Sequence, residues 1–410
     1  MHSISSSSAP ATKRQKTEVN TPLKLLKLEP NLLSKIFSYL PASAHAQTSQ
    51  TCKGIHSSWI CNEYPLDGAL LSDQDENSLI RIGRHYPNLS LRCSEAALPV
   101  LSPARLLSYS RAFPTAKTLG ARISLDEPFT AQRIIESFPR LQSITIKDVK
   151  NSQMQQLPAL RRLTEVNIGF GFDKIEEDQL RHLGSLSHNI KTLDFLGCRW
   201  MDGDLLQYLS PLTNLEHLDL SECGEHGIIS EVNGLRHLAT LTHLKSLVFY
   251  EAAVDDEAIA HLAPLTQLTK LELISCECTN AGVQTIANNH PNLREFIISS
   301  NSRAATGGAL QFIAQLTELR KLDCAFLNYQ GNEADSDLLV TNYLARLTEL
   351  ENLAFGFPMS DRTLLVLLAC LPKLHIVDIN ARHDDPNLTN LGIQAFNRII
   401  EERQSRFAER

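Results

Sequence analysis

The chain of 410 residues predicts an α/β solenoid, in which short parallel strands line one face and helices return along the other. Three observations carry that prediction. The stretch LEHLDLSEC, Leu215 to Cys223, has apolar residues at its first, fourth and sixth places and a cysteine at its ninth. The template recurs at Leu141 (LQSITIKDV), Leu163 (LTEVNIGFG), Ile190 (IKTLDFLGC), Leu244 (LKSLVFYEA), Leu268 (LTKLELISC), Leu293 (LREFIISSN), Leu319 (LRKLDCAFL), Leu350 (LENLAFGFP) and Leu374 (LHIVDINAR), which makes ten copies. Their start-to-start spacings, 22, 27, 25, 29, 24, 25, 26, 31 and 24 residues, fall in or near the range of leucine-rich repeats, roughly 20 to 29 residues. Strand side chains alternate, so the fourth and sixth places share a face that one strand alone cannot bury. Neighbouring copies must stack, and residues 141–387 are expected to form a leucine-rich-repeat horseshoe with concave strands and convex helices.

Upstream of the repeats, residues 1–21 are rich in Ser, Ala, Thr and Lys and lack the apolar surface that offsets ordering entropy. They predict a disordered tail, in which Lys13-Arg14-Gln15-Lys16 reads either as a nuclear-import signal or as a solvated basic run. From Leu28 the pattern changes. Leu32, Leu33, Ile36, Phe37 and Leu40 fall on one face of an amphipathic helix, with Pro30 suited to its start and Pro41 to its end. A helical unit of this size lies below the ~40 residues at which a lone core usually suffices, so it must lean on a partner or on the first turn of the solenoid.

The stretch resembles an F-box, through Leu28, Leu32, Leu33, Ile36, Phe37, Tyr39, Leu40 and Pro41 and then Cys52-Lys53. Asn31 replaces that family's acidic residue, and Ile55 stands at its tryptophan place with Trp59 one turn beyond. The resemblance implies a small helical F-box-like domain over residues 22–60. It would dock a Skp-type adaptor, and through it a cullin-RING ubiquitin ligase, by seating Leu28, Pro30, Leu32, Leu33, Ile36, Phe37, Leu40 and Pro41 in a groove.

Residues 61–140 read as a linker merging into degenerate capping repeats, with eroded copies at YPNLSLRCSE (86–95) and AKTLGARIS (116–124). Between the strands, DGDLLQYLSPL (202–212), DDEAIAHLAPL (255–265), TNAGVQTIANN (279–289) and SDRTLLVLLACL (360–371) each open on Asp, Ser or Thr, which suit helix N-caps, and continue with helical apolar spacing. Cysteine-ended strands followed by such segments, most clearly from Cys276 to Ala287, resemble the cysteine-containing repeats of F-box/leucine-rich-repeat proteins. Residues 388–410, apolar at Leu391, Ile393, Phe396 and Ile399 and then charged, predict a C-terminal capping helix.

Alternation directs the third, fifth and seventh template places to the concave face, where solenoids generally bind. The fifth column reads Thr145, Asn167, Asp194, Asp219, Val248, Glu272, Ile297, Asp323, Ala354 and Asp378. Glu165 and Glu295 join from the third column, against Lys147, Lys270 and Lys321, with His217 a weak addition. The result is an acidic groove suited to a basic peptide. The alternative is that the charges only keep a strand surface soluble. Asp194, Asp219, Glu272, Asp323 and Asp378 are the candidate substrate-binding residues, with Tyr250 as an aromatic anchor. Leu196 and Ile274 offer apolar contacts in the same column as Tyr250, and Phe170, Phe172 and Trp200 do so from adjoining loops.

A net charge of -7 gives no basic field for nucleic acid. Nine cysteines, three of them (Cys198, Cys223, Cys276) at the ninth template place, predict buried free thiols in a reducing compartment. No apolar run reaches about 18 residues, so a cytoplasmic or nuclear protein without a membrane partner is expected. P-loop, G-x-S-x-G and H-E-x-x-H patterns are absent. Cys276-Glu277-Cys278 lacks a second pair at zinc spacing, and His182, His237, His261 and His290 recur ahead of strands as structural residues would. The expected function is that of a non-catalytic substrate receptor of an SCF-type (Skp-cullin-F-box) ubiquitin ligase, without cofactor or metal. Its alternatives are a ligase-independent scaffold and a bacterial effector that borrows a host ligase, which would place it in the host cytosol.

Overall fold

In a computed structural model the described residues are 100, 101, 103–123, 131–147, 154–169, 177–186, 189–195, 203–221, 234–250, 254–299, 305–325, 327, 333–356, 360–379 and 390–408. The tail, the F-box-like segment with Leu28, Pro30, Leu32, Leu33, Ile36, Phe37, Leu40 and Pro41, and Phe170, Phe172, Leu196, Cys198, Trp200 and Cys223 lie outside them.

The described residues form a leucine-rich-repeat solenoid. One parallel sheet of twelve strands runs in chain order, with no crossover. Its strands are β1 (Val100–Leu101), β2 (Thr118–Ile123), β3 (Ser143–Lys147), β4 (Glu165–Gly169), β5 (Thr192–Phe195), β6 (His217–Ser221), β7 (Ser246–Tyr250), β8 (Lys270–Ile274), β9 (Glu295–Ser299), β10 (Lys321–Cys324), β11 (Asn352–Phe355) and β12 (Ile376–Ile379). The sheet therefore begins upstream of the first template copy. The fragment at 116–124 supplies β2, which pairs Gly120 with Thr145 of β3.

Register follows the template place by place. Thr145 faces Asn167, which faces Asp194, then Asp219, Val248, Glu272, Ile297, Asp323, Ala354 and Asp378, all as Cα partners in adjacent strands. What holds this register is the other face. Fourth-place residues from Ile144 to Leu353 and sixth-place residues from Ile146 to Phe355 are no more than 1% exposed. Each side chain of this kind stabilises by roughly 1.5–3 kcal/mol, and a slip of one residue would turn the whole set to water.

The convex side holds α1 (Pro103–Ala112), α2 (Ala131–Ser137), α3 (Glu177–Gly184), α4 (Asp256–Ala260), α5 (Asn280–Asn289), α6 (Leu310–Ile313), α7 (Glu333–Asn342), α8 (Asp361–Cys370) and α9 (Asn390–Ala408). Three expected N-caps are made: Asp255 accepts from the amide of Ala258, Thr279 from that of Ala281 and Ser360 from that of Thr363. The segment at 202–212 corrects the expectation of a convex α-helix, because Gly203–Leu209 is a 3-10 helix, as is Gly234–Thr240. The reason lies in the leucine period. Leu206, Leu209, Leu212, Leu215 and Leu218 recur every third residue, as do Leu235, Leu238, Leu241, Leu244 and Leu247, and all are buried. A helix of three residues per turn eclipses such positions on one edge. In α5, by contrast, Val283, Ile286, Ala287 and His290 are buried at α-helical spacing. The two 3-10 segments also start in close contact, since a Cβ on Gly234 would lie 2.7 Å from Gly203 Cα.

At the far end α9 packs Phe396 and Ile400 inward, with Ile399 half-buried. Its Arg403 guanidinium donates to the carbonyls of Leu368 (2.7 Å), Leu371 (2.7 Å) and Leu374 (3.1 Å), which ties α9 to the coil of α8 and β12. Among the described residues no helix is long and apolar enough to cross a membrane.

Candidate interaction surface

The concave face is built by the unburied half of each strand. Along β6 and β8 the third, fifth and seventh places are half-buried or exposed, while the fourth and sixth are buried. Asp194, Asp219, Glu272 and Asp323 are accordingly half-buried in one column, and Asp378 is exposed on β12. Tyr250 is half-buried at the seventh place, between its register partners Ser221 and Ile274. The sheet thus aligns Asp194, Asp219, Glu272, Asp323 and Asp378 in the fifth column, and sets Tyr250 in the neighbouring one.

The carboxylates are not equivalent. Asp219 accepts the amide of Ser221 at 2.8 Å, and Asp323 that of Ala325 at 3.1 Å, so each has an oxygen committed to ending its own strand. Asn167 donates to Thr145 (3.2 Å) and to Glu165 (3.3 Å), a neutral rung at the N-terminal end of the column. Glu272 forms a 2.8 Å ion pair with Lys270 on the same strand. Burial works against the charge on Lys270, but the carboxylates of Glu272, Glu295 and Asp219 outweigh it and hold its pKa above the ordinary lysine value. The charge of Glu272 is therefore offset locally by Lys270.

A further row of charges bounds this face. The second template place is polar in all ten copies: Gln142, Thr164, Lys191, Glu216, Lys245, Thr269, Arg294, Arg320, Glu351 and His375. Strict alternation would bury it beside the fourth and sixth. Instead the strands begin one residue later, and the second- and third-place amides both donate to the second-place carbonyl of the preceding repeat. Glu216 and His217 bond to Lys191 O at 2.7 and 2.8 Å, and Arg320 and Lys321 to Arg294 O at 2.8 and 2.9 Å. This turn lets the side chain leave the core along the strand-start edge, with His375 the buried exception. Uniform polarity at one template place was the sequence signal for the row.

Glu216 bridges Lys191 and Lys245 in this row, at 2.6 Å to each. Hydrogen bonds from the two lysines pull its carboxyl down to about 2.

Polar links also join successive returning segments. Asp256 accepts the Thr279 amide at 2.8 Å and the Thr279 hydroxyl. Asn280 accepts the Thr306 amide at 2.9 Å and donates to its hydroxyl at 2.7 Å. Asp337 accepts the Ser360 amide (3.1 Å) and hydroxyl (2.6 Å) and the Thr363 hydroxyl. Cys276, Cys278 and Cys324 are buried free thiols, and burial pushes the thiols of Cys278 and Cys324 well above the usual range. Desolvation lowers the buried His290 to about 4, so the ring is neutral near pH 7. Its place is inside the coil, whereas His182, His237 and His261 are half-buried. Among the described residues no group of three His, Cys, Asp or Glu is arranged to hold a metal ion.

No protein-family model matches the chain, and no curated protein matches it. Among solved structures the chain is similar to the internalin InlF of Listeria monocytogenes, with 18% identity over 70% of this chain and 88% of that one and a TM-score of 0.39. It is similar to the internalin InlC2 of the same bacterium, with 20% identity over 50% and 84% and a TM-score of 0.35. It is also similar to the Rad7 and Elc1 complex in yeast, with 16% identity over 89% and 98% and a TM-score of 0.44. The fold rests on the chain's own strand register rather than on these similarities.

Proposed function

We propose that the chain is a non-catalytic receptor that holds a basic segment of a substrate protein on its concave sheet, as the substrate-recognition subunit of an SCF-type ubiquitin ligase. The observation that carries the receptor half is the fifth-place column, in strand-to-strand register, in which five of the eight residues from Asp194 to Asp378 are carboxylates, interrupted by Val248, Ile297 and Ala354. Parallel strands repeat about every 4.8 Å, which suits an extended chain laid across them, and an acidic track speeds its encounter with a cationic peptide. The ligase half is supported by the F-box-like text from Leu28 to Pro41. In this reading the helix face carrying Ile36 and Phe37 docks a Skp-type adaptor, and the receptor acts by raising the effective concentration of substrate lysines near the conjugating enzyme.

The test has two arms on the full chain. Ile36→Glu with Phe37→Glu is expected to abolish adaptor pull-down while leaving the far-UV spectrum unchanged; undiminished adaptor binding ends the ligase assignment. Asp219→Asn, Glu272→Gln and Asp323→Asn together are expected to weaken capture of Lys- and Arg-rich peptides at least tenfold and to flatten its salt dependence. Equal capture by the triple variant ends the receptor assignment.

A further inference from the structure

The fifth-place column alternates between two kinds of residue. From β6 to β12 it reads Asp219, Val248, Glu272, Ile297, Asp323, Ala354 and Asp378, each the register partner of the next, so an acid stands on every second strand and an apolar residue on each strand between. Val248 is recessed, at 9% exposure, and Ile297 and Ala354 are half-buried. The two sides of the column differ. Toward the strand starts stand Lys270 and Lys321, two residues before Glu272 and Asp323. Toward the strand ends the face is uncharged from β6 to β9, where Ser221, Tyr250, Ile274 and Ser299 follow one another in register. A cationic ligand on the column is thereby pushed away from the lysines and over Tyr250 and Ile274.

Spacing and hydrogen bonding then select the conformation of that ligand. Paired strands lie about 4.8 Å apart, so the acids recur roughly every 9.6 Å along the column. One face of a polyproline II helix repeats every three residues, about 9.3 Å, whereas same-side residues of a β-strand recur about every 6.7 Å and two turns of α-helix take about 10.8 Å. Over the acid intervals from Asp219 to Asp378 the polyproline II repeat slips by only about 1 Å and the α-helix by about 4 Å, while a β-strand loses step at the first. Hydrogen bonding adds to this. Strands β6 to β11 are paired on both sides, so a chain crossing them finds no ladder partner for its amides. Polyproline II has no internal hydrogen bonds and keeps its backbone in water, and proline carries no amide hydrogen at all.

On the receptor reading above, we infer that the concave face from β6 to β12 takes a proline-rich segment in the polyproline II conformation, with lysine or arginine at every third residue. The cations sit over Asp219, Glu272, Asp323 and Asp378, and the prolines pack against Val248, Ile297 and the Tyr250–Ile274 pair. Proline-rich segments dock on apolar and aromatic grooves because the helix is preformed and loses little entropy on binding. Glu272, already paired with Lys270 at 2.8 Å, contributes least of the four acids.

The test uses the full chain and three fluorescent peptides: a repeat of Arg-Pro-Pro, a permutation of the same composition with its arginines in adjacent pairs, and a repeat of Arg-Ala-Ala. Wild type is expected to bind the Arg-Pro-Pro repeat about tenfold more tightly than either of the others. Ile297→Asp fills the gap between Glu272 and Asp323, and should bring the affinities of the repeat and its permutation together. Asp323→Asn breaks the series without adding charge and should also reduce the preference, so the test stands even where the first variant fails to fold. Tyr250→Ala should weaken the proline peptide more than the alanine one, and Tyr250→Phe should restore it. Equal binding of the repeat and its permutation by wild type overturns the inference. An Arg-Ala-Ala repeat bound as tightly also overturns it, in favour of a helical or merely cationic ligand. Failure of the receptor assignment is a different result, weak capture of all three peptides, and takes this inference with it. Loss of adaptor capture by Ile36→Glu with Phe37→Glu is read separately, so failure of the ligase assignment leaves the peptide result standing.

Discussion

Replacing Gly282 by alanine sets helix propensity against packing, and the two predict opposite signs. Gly282 lies inside α5, where alanine is favoured over glycine by about 1 kcal/mol on propensity alone. A Cβ built there would lie 2.3 Å from Asp256 Oδ1 and 2.6 Å from Cys278 Sγ. Both neighbours are constrained. The Asp256 carboxylate accepts the amide and hydroxyl of Thr279, the residue that caps α5, and the Cys278 thiol is buried. If the carboxylate turns away, at least one charged hydrogen bond is lost, worth about 1.5–3 kcal/mol, and crowding of Cys278 adds about 1–3 kcal/mol. Less the gain in propensity, the variant should be destabilised by roughly 1.5–5 kcal/mol. Urea unfolding should show a lower midpoint, and native-state hydrogen exchange should speed first at residues 280–289 and 256–260. In an Asp256→Ala background the same substitution should cost less, because one of its two obstacles has gone. A neutral or stabilising Gly282→Ala would refute the proposed link between α4 and α5.

Arg403→Ala removes three carbonyl contacts from the end of the solenoid and should lower stability by about 1.5–3 kcal/mol, with faster exchange in α8 and α9; Arg403→Lys should not restore it, because an ammonium lacks the guanidinium fork. Equal protection of α8 in Arg403→Ala and wild type would count against that role. Glu216 is depressed from 4.5 to about 2 in the folded chain, so its contribution is present above about pH 4.5 and is lost as the pH falls toward 2. The stability difference between wild type and Glu216→Gln should therefore shrink across that window, and a difference that does not vary with pH would reject the Lys191–Glu216–Lys245 bridge. Cys276 and Cys278 should resist iodoacetamide in the native state and react after denaturation, with the half-buried Cys370 modified earlier; rapid native labelling of Cys278 would contradict its burial.

The sheet was legible because its rule is local and strict. Fourth- and sixth-place apolar residues repeat without exception from Ile144 to Phe355, and each miss would expose a side chain that no neighbour compensates. The returning segments were less legible because α-helical and 3-10 spacing differ only in where the next leucine falls. In YLSPLTNL (208–215) leucines spaced three apart continue into the strand, and the segment tightens to follow them. Links such as Asp256 to Thr279 and Asp337 to Ser360 join residues 23 apart that belong to successive repeats, so no single copy of the template contains both partners. Lengths varying from 22 to 31 residues further blur any fixed offset.

The second-place row adds charges that counting along the concave columns leaves out. Alternation predicts where a side chain points only where backbone is extended, and the residue just before each strand is turned by two amides sharing one carbonyl. Its charges consequently lie beside the acid column without belonging to it. Lys191 and Lys245 are held by Glu216, whereas Arg294 and Lys321 make no ion pair among the described residues, although Lys321 faces Glu295 in the sheet register. A peptide crossing the sheet from β6 toward β10 thus meets carboxylates at Asp219, then the Lys270–Glu272 pair, then an arginine pair beside Asp323. Such a sequence of fields discriminates by the order of charges along a ligand as well as by their sum, and reversing that order in a peptide of unchanged composition should weaken binding.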